Sequence, residues 1–138
     1  MTPAPQCCSG ETTLNDVANL MVEADCGEIP VTDGSNRLIG VITDRDIVCR
    51  VVAKGKTPSS VTAAECMSEP VVVVKEDTKL EDVLAVMEEN RIRRVPVVDA
   101  SGCCCGIISQ ADVALSSSDG KVGELVREVS KGGSVGVH

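Results

Sequence analysis

Two stretches of the chain carry the apolar spacing of an amphipathic helix. In each stretch apolar residues recur at positions i, i+3, i+4 and i+7, which places them on one helical face. Thr12 precedes the first set, and Thr78, followed at +3 by Glu81, precedes the second as a capping box. The pattern therefore predicts two helices that bury equivalent faces. The two sets are Leu14, Val17, Ala18 and Met21, and Leu80, Val83, Leu84 and Met87.

Short segments typical of β-strands surround each predicted helix. Residues 71–74 precede the second helix, and the weaker segment 6–8 holds the matching place before the first. After each helix a proline, Pro30 or Pro96, enters a strand at a first or edge position, where the ladder tolerates proline. A turn then returns the chain along a second strand, which predicts a β-hairpin in each half, with return strands at 38–42 and 104–108.

Both hairpins end in the same motif, which has a Gly, two aliphatic residues, a hydroxyl residue and an acid three positions after the hydroxyl. The copies occupy residues 40–46 and 106–112 and lie 66 positions apart. A Ser or Thr with an acid at +3 is a capping box, so each copy predicts the start of a helix. Because the copies stand in register with the flanking helices and strands, the chain is a tandem repeat.

The repeat predicts an α/β (α+β) fold of two strand–helix–strand–strand–helix (βαββα) units. Residues 1–53 form the first repeat, residues 54–66 a linker with a short helix, and residues 67–117 the second repeat. A C-terminal helix at 118–131 and a disordered tail at 132–138 complete the prediction. A unit of about 60 residues buries only about 60% of its unfolded surface, so we expect the two units to pack sheet against sheet about a pseudo-twofold axis.

Composition argues against several classes of partner. The net charge of −8 and the absence of aromatic residues argue against nucleic acid, which needs basic side chains and favours stacking rings. The longest run of Val, Ile or Leu, at 71–74, is far too short to cross a membrane, and the N-terminal residues lack the features of a secretory signal. We therefore expect a cytoplasmic protein with no nucleic-acid or membrane partner.

Eight cysteines in 138 residues raise the question of a disulfide, metal or redox role. Six of them stand 66 positions from an aliphatic residue of the other copy, which predicts reduced cysteines that act as small hydrophobes. A metal or redox protein that uses residues 103–105 with Cys7 and Cys8 remains an alternative. The six are Cys7, Cys8, Cys26, Cys49, Cys104 and Cys105, whereas Cys66 and Cys103 have no such explanation.

The ordered motifs resemble the cystathionine-β-synthase (CBS) domain, which commonly occurs in tandem as a Bateman module. The resemblance covers Met1 to about Leu115 and is greatest to small stand-alone bacterial members. It rests on the Met-Thr-Pro start, the two proline-containing strands and the paired Gly-aliphatic-aliphatic-Thr/Ser-x-x-Asp motifs. It implies that the module binds adenine nucleotides (AMP, ADP or ATP) or related adenosyl compounds in the clefts between the repeats. These would be regulatory ligands and not substrates.

The resemblance also implies which residues form the two sites. Arg93 and Arg94 in the second copy would reach the phosphates, although a solvated helix end would also favour cations. The first copy has acids in that region, with Arg45 as a partial substitute, so we expect the second site to bind the more highly charged nucleotide. Thr43 with Asp46, and Ser109 with Asp112, would hold the ribose and the neighbouring phosphate, and the adenine pockets would be lined by Ile29, Val41, Val95 and Ile107.

The predicted function is regulation without catalysis. No nucleophile–base pair is evident, and the only histidine, His138, lies in the tail. We expect a homodimer whose domain or dimer geometry responds to the ligand and acts on an unidentified effector protein. A dimerisation scaffold without a ligand is a third possibility, which only nucleotide binding would separate from a sensor.

Overall fold

The computed structural model describes residues 7–70, 72–114 and 120–130, and the predicted βαββα order appears in it twice. The mixed α/β fold class is therefore confirmed. The first set comprises β1 (Cys8–Ser9), α1 (Leu14–Ala24), β2 (Glu28–Thr32), β3 (Leu38–Thr43) and α2 (Asp44–Ile47). A π-helical turn (Val48–Val52), a 3-10 turn (Pro58–Ser60) and α3 (Ala63–Cys66) follow. The second set comprises β4 (Val74–Lys75), α4 (Leu80–Asn90), β5 (Arg94–Val98), β6 (Cys104–Ser109) and α5 (Gln110–Ala114), followed by α6 (Val122–Ser130).

The chain forms two compact units, one spanning Gln6–Glu69 and the other containing Pro70–His138. Each unit has a three-stranded sheet, β1-β2-β3 in the first and β4-β5-β6 in the second. The first strand of each sheet runs parallel to the central strand, and the other two strands form the predicted antiparallel hairpin. The hairpins share one register, with an irregularity directly after Val31 and after Val97. The hairpin prediction is confirmed in both units.

Both prolines lie in the middle of the central strand, so the predicted first or edge position is wrong. Pro30 stands opposite Val41, whose N–H and C=O instead bond to Ser68, each at 2.9 Å. Pairing with β1 begins only at Val31, one residue later. Among the described residues, the pairing between β1 and β2 does not include Pro30. The missing N–H of the proline therefore removes no hydrogen bond between these strands.

The ends of several elements differ from the sequence prediction. Strands β1 and β4 have two residues each and lie later than predicted, while positions 6 and 71 are outside the described residues. Thr13, not Thr12, caps α1 with its hydroxyl, and Lys79, not Thr78, precedes α4 without a side-chain cap. The predicted joint to α6 at 115–119, Lys131 and the predicted tail at 132–138 also lie outside the described residues.

Each unit has its own aliphatic core beneath the predicted helical faces. Within those faces, Ala18 and Leu84 are only half-buried and the other positions are buried. Among the described helices, none is long and apolar enough to cross a membrane. The buried residues of the long helices and the hairpins include Leu14, Val17, Met21, Ile29, Val31 and Ile42 in the first unit, and Leu80, Val83, Met87, Val95, Val97 and Ile108 in the second.

Helices α3 and α6 close the two units in equivalent ways. In each unit the first residue of the long helix donates a backbone hydrogen bond to a carbonyl just before the closing helix, and the closing helix returns one. The long helices lie 66 residues apart, but the closing helices lie 59 apart, because the second copy has seven fewer residues between its motif and its closing helix. The hydrogen bonds run Leu14 to Val61 and Ala63 to Thr12 in the first unit, and Leu80 to Gly120 and Val122 to Thr78 in the second.

The spacing of 59 residues between the closing helices explains why the Cys66 side chain is buried. At 59 positions Cys66 corresponds to Leu125, and both side chains are buried, at 1% and 3% exposed. Cys66 therefore takes the place of a core leucine. The prediction for the other cysteines holds only in part: Cys8 and Cys104 are buried and Cys7 and Cys105 are half-buried, but Cys26 and Cys49 are exposed because they lie in the connection after α1 and in the π-helical turn.

The closing helices closely approach the turn after the first strand of each unit, and each contact has a glycine on one side. Gly123 N–H donates to Glu76 O at 2.8 Å, and a Cβ on Gly123 would lie 2.7 Å from Glu76 Cβ. In the first unit the equivalent bond runs from Ala64 to Gly10 at 2.9 Å, and a Cβ on Gly10 would lie 3.3 Å from Ala64 Cβ. The glycine is on the helix in one unit and on the opposing loop in the other.

Replacement of Gly123 by Ala should destabilise the protein. Overpacking typically costs about 1–3 kcal/mol, and the gain in helix propensity of about 1 kcal/mol offsets only part of it. We expect urea unfolding to show a net loss of about 1 kcal/mol or more. Gly34→Ala is the control, since nothing lies within 4 Å of its added Cβ. Equal unfolding free energies for the two variants would contradict the close approach.

Candidate functional site

Each repeated motif forms a closed capping box. In the first copy, Asp46 N–H donates to Thr43 Oγ1 and Thr43 N–H donates to Asp46 Oδ2, both at 3.0 Å. In the second copy, Asp112 N–H donates to Ser109 Oγ at 3.1 Å and Ser109 N–H donates to Asp112 Oδ2 at 2.9 Å. The capping boxes predicted in the two motifs are confirmed, unlike the caps predicted at Thr12 and Thr78, and each acid is held at the strand end by its own backbone.

The hairpin pairing places a charged residue directly beside each hydroxyl. Arg94 is the register partner of Ser109, whereas Glu28 is the register partner of Thr43. Both charged residues are half-buried. The same backbone position therefore offers a cation in the second copy and an anion in the first.

The residue directly before Glu28 or Arg94 also contacts the motif, because its carbonyl accepts a hydrogen bond from the first residue of α2 or α5. Gln110 N–H donates to Arg93 O at 2.7 Å, and Asp44 N–H donates to Gly27 O at 2.9 Å. These bonds fix the segment before the proline strand against the first helical turn. At this backbone position the second copy has a second arginine, Arg93, whereas the first copy has Gly27.

An open pocket of about 360 Å³ lies at the second motif. Its lining combines two guanidinium groups with a hydroxyl and a helical first turn, which suits a phosphate group. Gln110 and Ala111 were missed by the sequence analysis, although their place directly after the hydroxyl was a usable signal. Asp112, Val95 and Ile107 are not among the lining residues, which are Arg93, Arg94, Ser109, Gln110 and Ala111.

In the first copy an arginine lies beside the acid. Arg50 Nε lies 3.9 Å from Asp46 Oδ1, and the Asp46 side chain is 16% exposed. Arg50 Nη1 also donates to the carbonyls of Cys66 and Met67, at 3.0 and 3.3 Å. Arg50 was not among the predicted site residues, although an acid and a base four residues apart in a helical segment form a recognisable pair.

Arg45, the predicted substitute for the missing arginines, lies in the first turn of α2. Its side chain is exposed, and its backbone N–H donates to Asp44 Oδ1 at 2.8 Å. The first motif thus presents a positive charge to solvent. A contact between Arg45 and a ligand stays a prediction.

The predicted adenine walls differ in accessibility. Ile29 and Val95 have no exposed surface, because each lies in the core of its own unit. Val41 is 6% exposed and Ile107 is half-buried. A base would meet the surface of Ile107 more readily than that of Ile29 or Val95, and the lining role of all four residues stays a prediction.

The cysteines have the character of reduced thiols, and none is in a disulfide. Burial raises the pKa of the Cys8 thiol to about 11, and burial together with the Asp46 carboxylate raises the pKa of Cys66. Because the thiolate is the reactive form, both thiols are poor nucleophiles near neutral pH. Cys103 is half-buried in a turn, where its N–H donates to Asp99 Oδ1 at 3.0 Å. Over the described ranges, no group of three or more His, Cys, Asp or Glu residues is arranged to hold a metal ion.

Both repeats match one known family. The family model described as "CBS domain" matches residues 1–53 and 63–119. The chain belongs to the CBS domain family. The two matches contain both capping-box motifs, so the resemblance inferred from the sequence is confirmed.

Curated relatives match this chain over most of its length. Hypoxic response protein 1 of Mycobacterium tuberculosis is 35% identical over 123 residues, which cover 88% of this chain and 85% of that protein. The uncharacterized protein MK0525 of Methanopyrus kandleri is 37% identical over 101 residues, which cover 73% of this chain. The chain spans about half of that protein, 52% of its length.

Solved structures share the fold. The crystal structure of Hypoxic Response Protein I with two coordinated zinc ions has a TM-score of 0.71 and 37% identity, and the match covers 79% of this chain and 88% of that chain. The crystal structure of CBSX2 in complex with AMP has a TM-score of 0.68 and 28% identity, with coverage of 80% and 84%. Both similarities support the assignment of this chain to the CBS domain family.

Proposed function

We propose that this pair of CBS domains is a regulatory module that senses an adenine nucleotide or a related adenosyl compound. The similarity to CBSX2, which was solved in complex with AMP, supports the ligand class. The observation that carries the proposal is the pocket in which Ser109 lies beside Arg93 and Arg94. The comparisons do not favour the cysteine-based alternative.

At the second motif each part of a nucleotide has a matching group. Arg93 and Arg94 would neutralise phosphate through charge-assisted hydrogen bonds. The Asp112 carboxylate would accept from ribose hydroxyls, since an ionised acceptor binds them more strongly than a neutral one. Ile107 would contact adenine by dispersion, without an aromatic ring to stack on.

The first motif would take a less charged ligand. Thr43 and Asp46 repeat the hydroxyl and the acid, but Glu28 stands where the second copy has Arg94. A carboxylate at that place repels phosphate, and Arg45 would offset the repulsion only in part. We therefore propose two sites of unequal preference for charge.

The output of the module would be a change of geometry and not a chemical step. A ligand shifts an equilibrium between two arrangements only by its difference in affinity for them. We propose that the ligand alters the domain or dimer geometry and that a separate effector protein responds in the cytoplasm.

Thermal shift and calorimetry with AMP, ADP, ATP, NAD and S-adenosylmethionine test the proposal. A ligand at 100 times its Kd should add about 2.7 kcal/mol to the free energy of unfolding. Zinc is included because the structure of Hypoxic Response Protein I contains two zinc ions. Stabilisation by zinc alone would favour the metal alternative, and stabilisation by none of these would favour a scaffold.

Within this panel, Asp112→Ala should weaken nucleotide binding more than Asp46→Ala. Loss of charge-assisted hydrogen bonds to the ribose should raise Kd about 10- to 100-fold at the second site. The two variants are comparable, because each also removes the acid of one capping box. Equal effects on nucleotide affinity would remove the ranking of the two sites.

A double substitution can give the second site the charge of the first site. Arg93→Gly together with Arg94→Glu introduces the residues of the first copy at the same backbone positions, and we expect ATP affinity to fall about tenfold or more and AMP affinity to fall less. Arg91→Asp is the control, since it introduces the first-copy residue Asp25 at the end of α4 and Arg91 is not among the lining residues. It changes the net charge by −2, against −3 in the double variant. A loss of ATP affinity in the control as large as in the double variant would indicate a general charge effect.

Self-association is part of the proposal. Val48 and Val52, about one turn apart in the π-helical turn, are 56% and 62% exposed, and paired copies would bury such side chains. Light scattering at micromolar concentration should give twice the chain mass of 14.3 kDa, and Val48→Ser with Val52→Ser should reduce it. A monomer in the wild type would contradict the homodimer.

A further inference from the structure

Arg50 connects the acid of the first motif to the end of α3. Its Nε lies 3.9 Å from Asp46 Oδ1, and its Nη1 donates to the carbonyls of Cys66 and Met67. The Cys66 thiol also donates to the backbone carbonyl of Asp46 at 3.8 Å. The first turn after the motif and the end of the closing helix are thus tied together twice.

The residues that follow connect this junction to the sheet. Ser68 exchanges two backbone hydrogen bonds of 2.9 Å with Val41. Met67 packs against Gly40 so tightly that a Cβ on Gly40 would lie 2.6 Å from the Met67 sulfur. Residues 66–68, termed here the α3 exit segment, therefore contact both the neighbourhood of Asp46 and Val41, two predicted ligand positions of the first site.

Arg50 belongs to the part of the repeat that differs between the copies. It lies within residues 49–60. When both ends of the connection are aligned, only residues 115–119 stand in this place in the second copy, and they contain no Lys or Arg. The basic residue Lys121 lies directly before α6, where the first copy has Thr62. The second copy has its positive charge at Arg93 and Arg94 instead. The two copies thus supply positive charge from different elements, beside the acid in the first and beside the hydroxyl in the second.

We propose that Arg50 is a positioning residue of the first site and couples ligand binding at Asp46 to the α3 exit segment. This inference rests on the proposed function. A ribose hydroxyl that donates to Asp46 Oδ1 shares this oxygen with Arg50, so an occupied site changes how the guanidinium is held between the acid and the two carbonyls. Because such coupling is reciprocal, the exit segment affects ligand affinity by the same factor. The exit segment is also where the chain leaves the first unit, which ends at Glu69.

Arg50→Gln and Arg50→Lys test the inference in full-length protein that carries Asp112→Ala to weaken the second site. Gln keeps a polar side chain without charge, while Lys keeps the charge but has one ammonium group that cannot serve the acid and both carbonyls in the same geometry. Lys54→Gln, in an exposed turn of the same connection, is the matched control for loss of one positive charge. Calorimetry gives AMP affinity, and hydrogen exchange gives the protection of the Met67 and Ser68 amides with and without AMP.

We expect AMP to increase protection of the Met67 and Ser68 amides in the parent and in Lys54→Gln. In both Arg50 variants the extra protection should be lost at these two amides but retained at the amides of Thr43 and Asp46. AMP affinity should fall about two- to thirtyfold, the range typical of altered coupling. A purely structural role would lower the unfolding midpoint without separating the exit segment from the motif.

The outcomes separate the two proposals. Failure of AMP and every other adenosyl compound to bind the wild type would overturn the proposed function and this inference together. Binding in the parent with an unchanged exchange pattern in Arg50→Gln and Arg50→Lys would overturn the role of Arg50 alone. If Arg50→Gln does not fold, Arg50→Lys decides, because it keeps the positive charge.

Discussion

A single carboxylate oxygen in each copy fixes the turn from strand to helix. Oδ2 of Asp46 or Asp112 accepts the N–H of the hydroxyl residue three positions earlier, which would otherwise lack a partner where the strand ends. The hydroxyl in turn accepts the N–H of the acid. Because the backbone holds each acid before any ligand arrives, little ordering entropy is left for binding to overcome. A ligand must therefore bind the other carboxylate oxygen, Oδ1. In the first copy, Arg50 already lies beside Oδ1 of Asp46.

The two copies have the same backbone frame and opposite charges on it. Strand register places Glu28 beside Thr43 and Arg94 beside Ser109, and the carbonyls one residue earlier hold the same first-turn amides. Because these hydrogen bonds involve main-chain atoms only, either charge fits without altering the fold. Preference for ligand charge can therefore diverge between the repeats while stability depends on a common set of contacts.

Local spacing in the sequence was sufficient to predict the long helices, the hairpins and the capping boxes of the two motifs, because these features depend on residues a few positions apart. The caps of α1 and α4 were each placed one residue too early. Features that depend on distant residues were missed. The tolerance of Pro30 depends on where β1 begins, and the burial of Cys66 depends on α3, which follows a different spacing from the rest of the repeat. Arg50 contacts carbonyls 16 and 17 residues away, so only its pairing with Asp46 was open to sequence reasoning. Three lining residues of the pocket, Arg93, Arg94 and Ser109, had been named through the family resemblance, and their contact with a ligand stays a prediction.

The connection between motif and closing helix is where the copies differ most in length, and the physics of loops explains why it can. A connection of 16 residues in place of 9 costs less than about 1 kcal/mol of additional chain entropy. The closing helix itself must stay close to the sheet region, as the contact between Gly123 and Glu76 shows. The residues of this connection, among them Arg50 four positions after Asp46, can therefore differ between the copies without moving either helix. The charged residue on the strand beside the hydroxyl and the residues of the connection after the acid can vary independently. The two copies can therefore come to prefer different ligands without a change in the sheet.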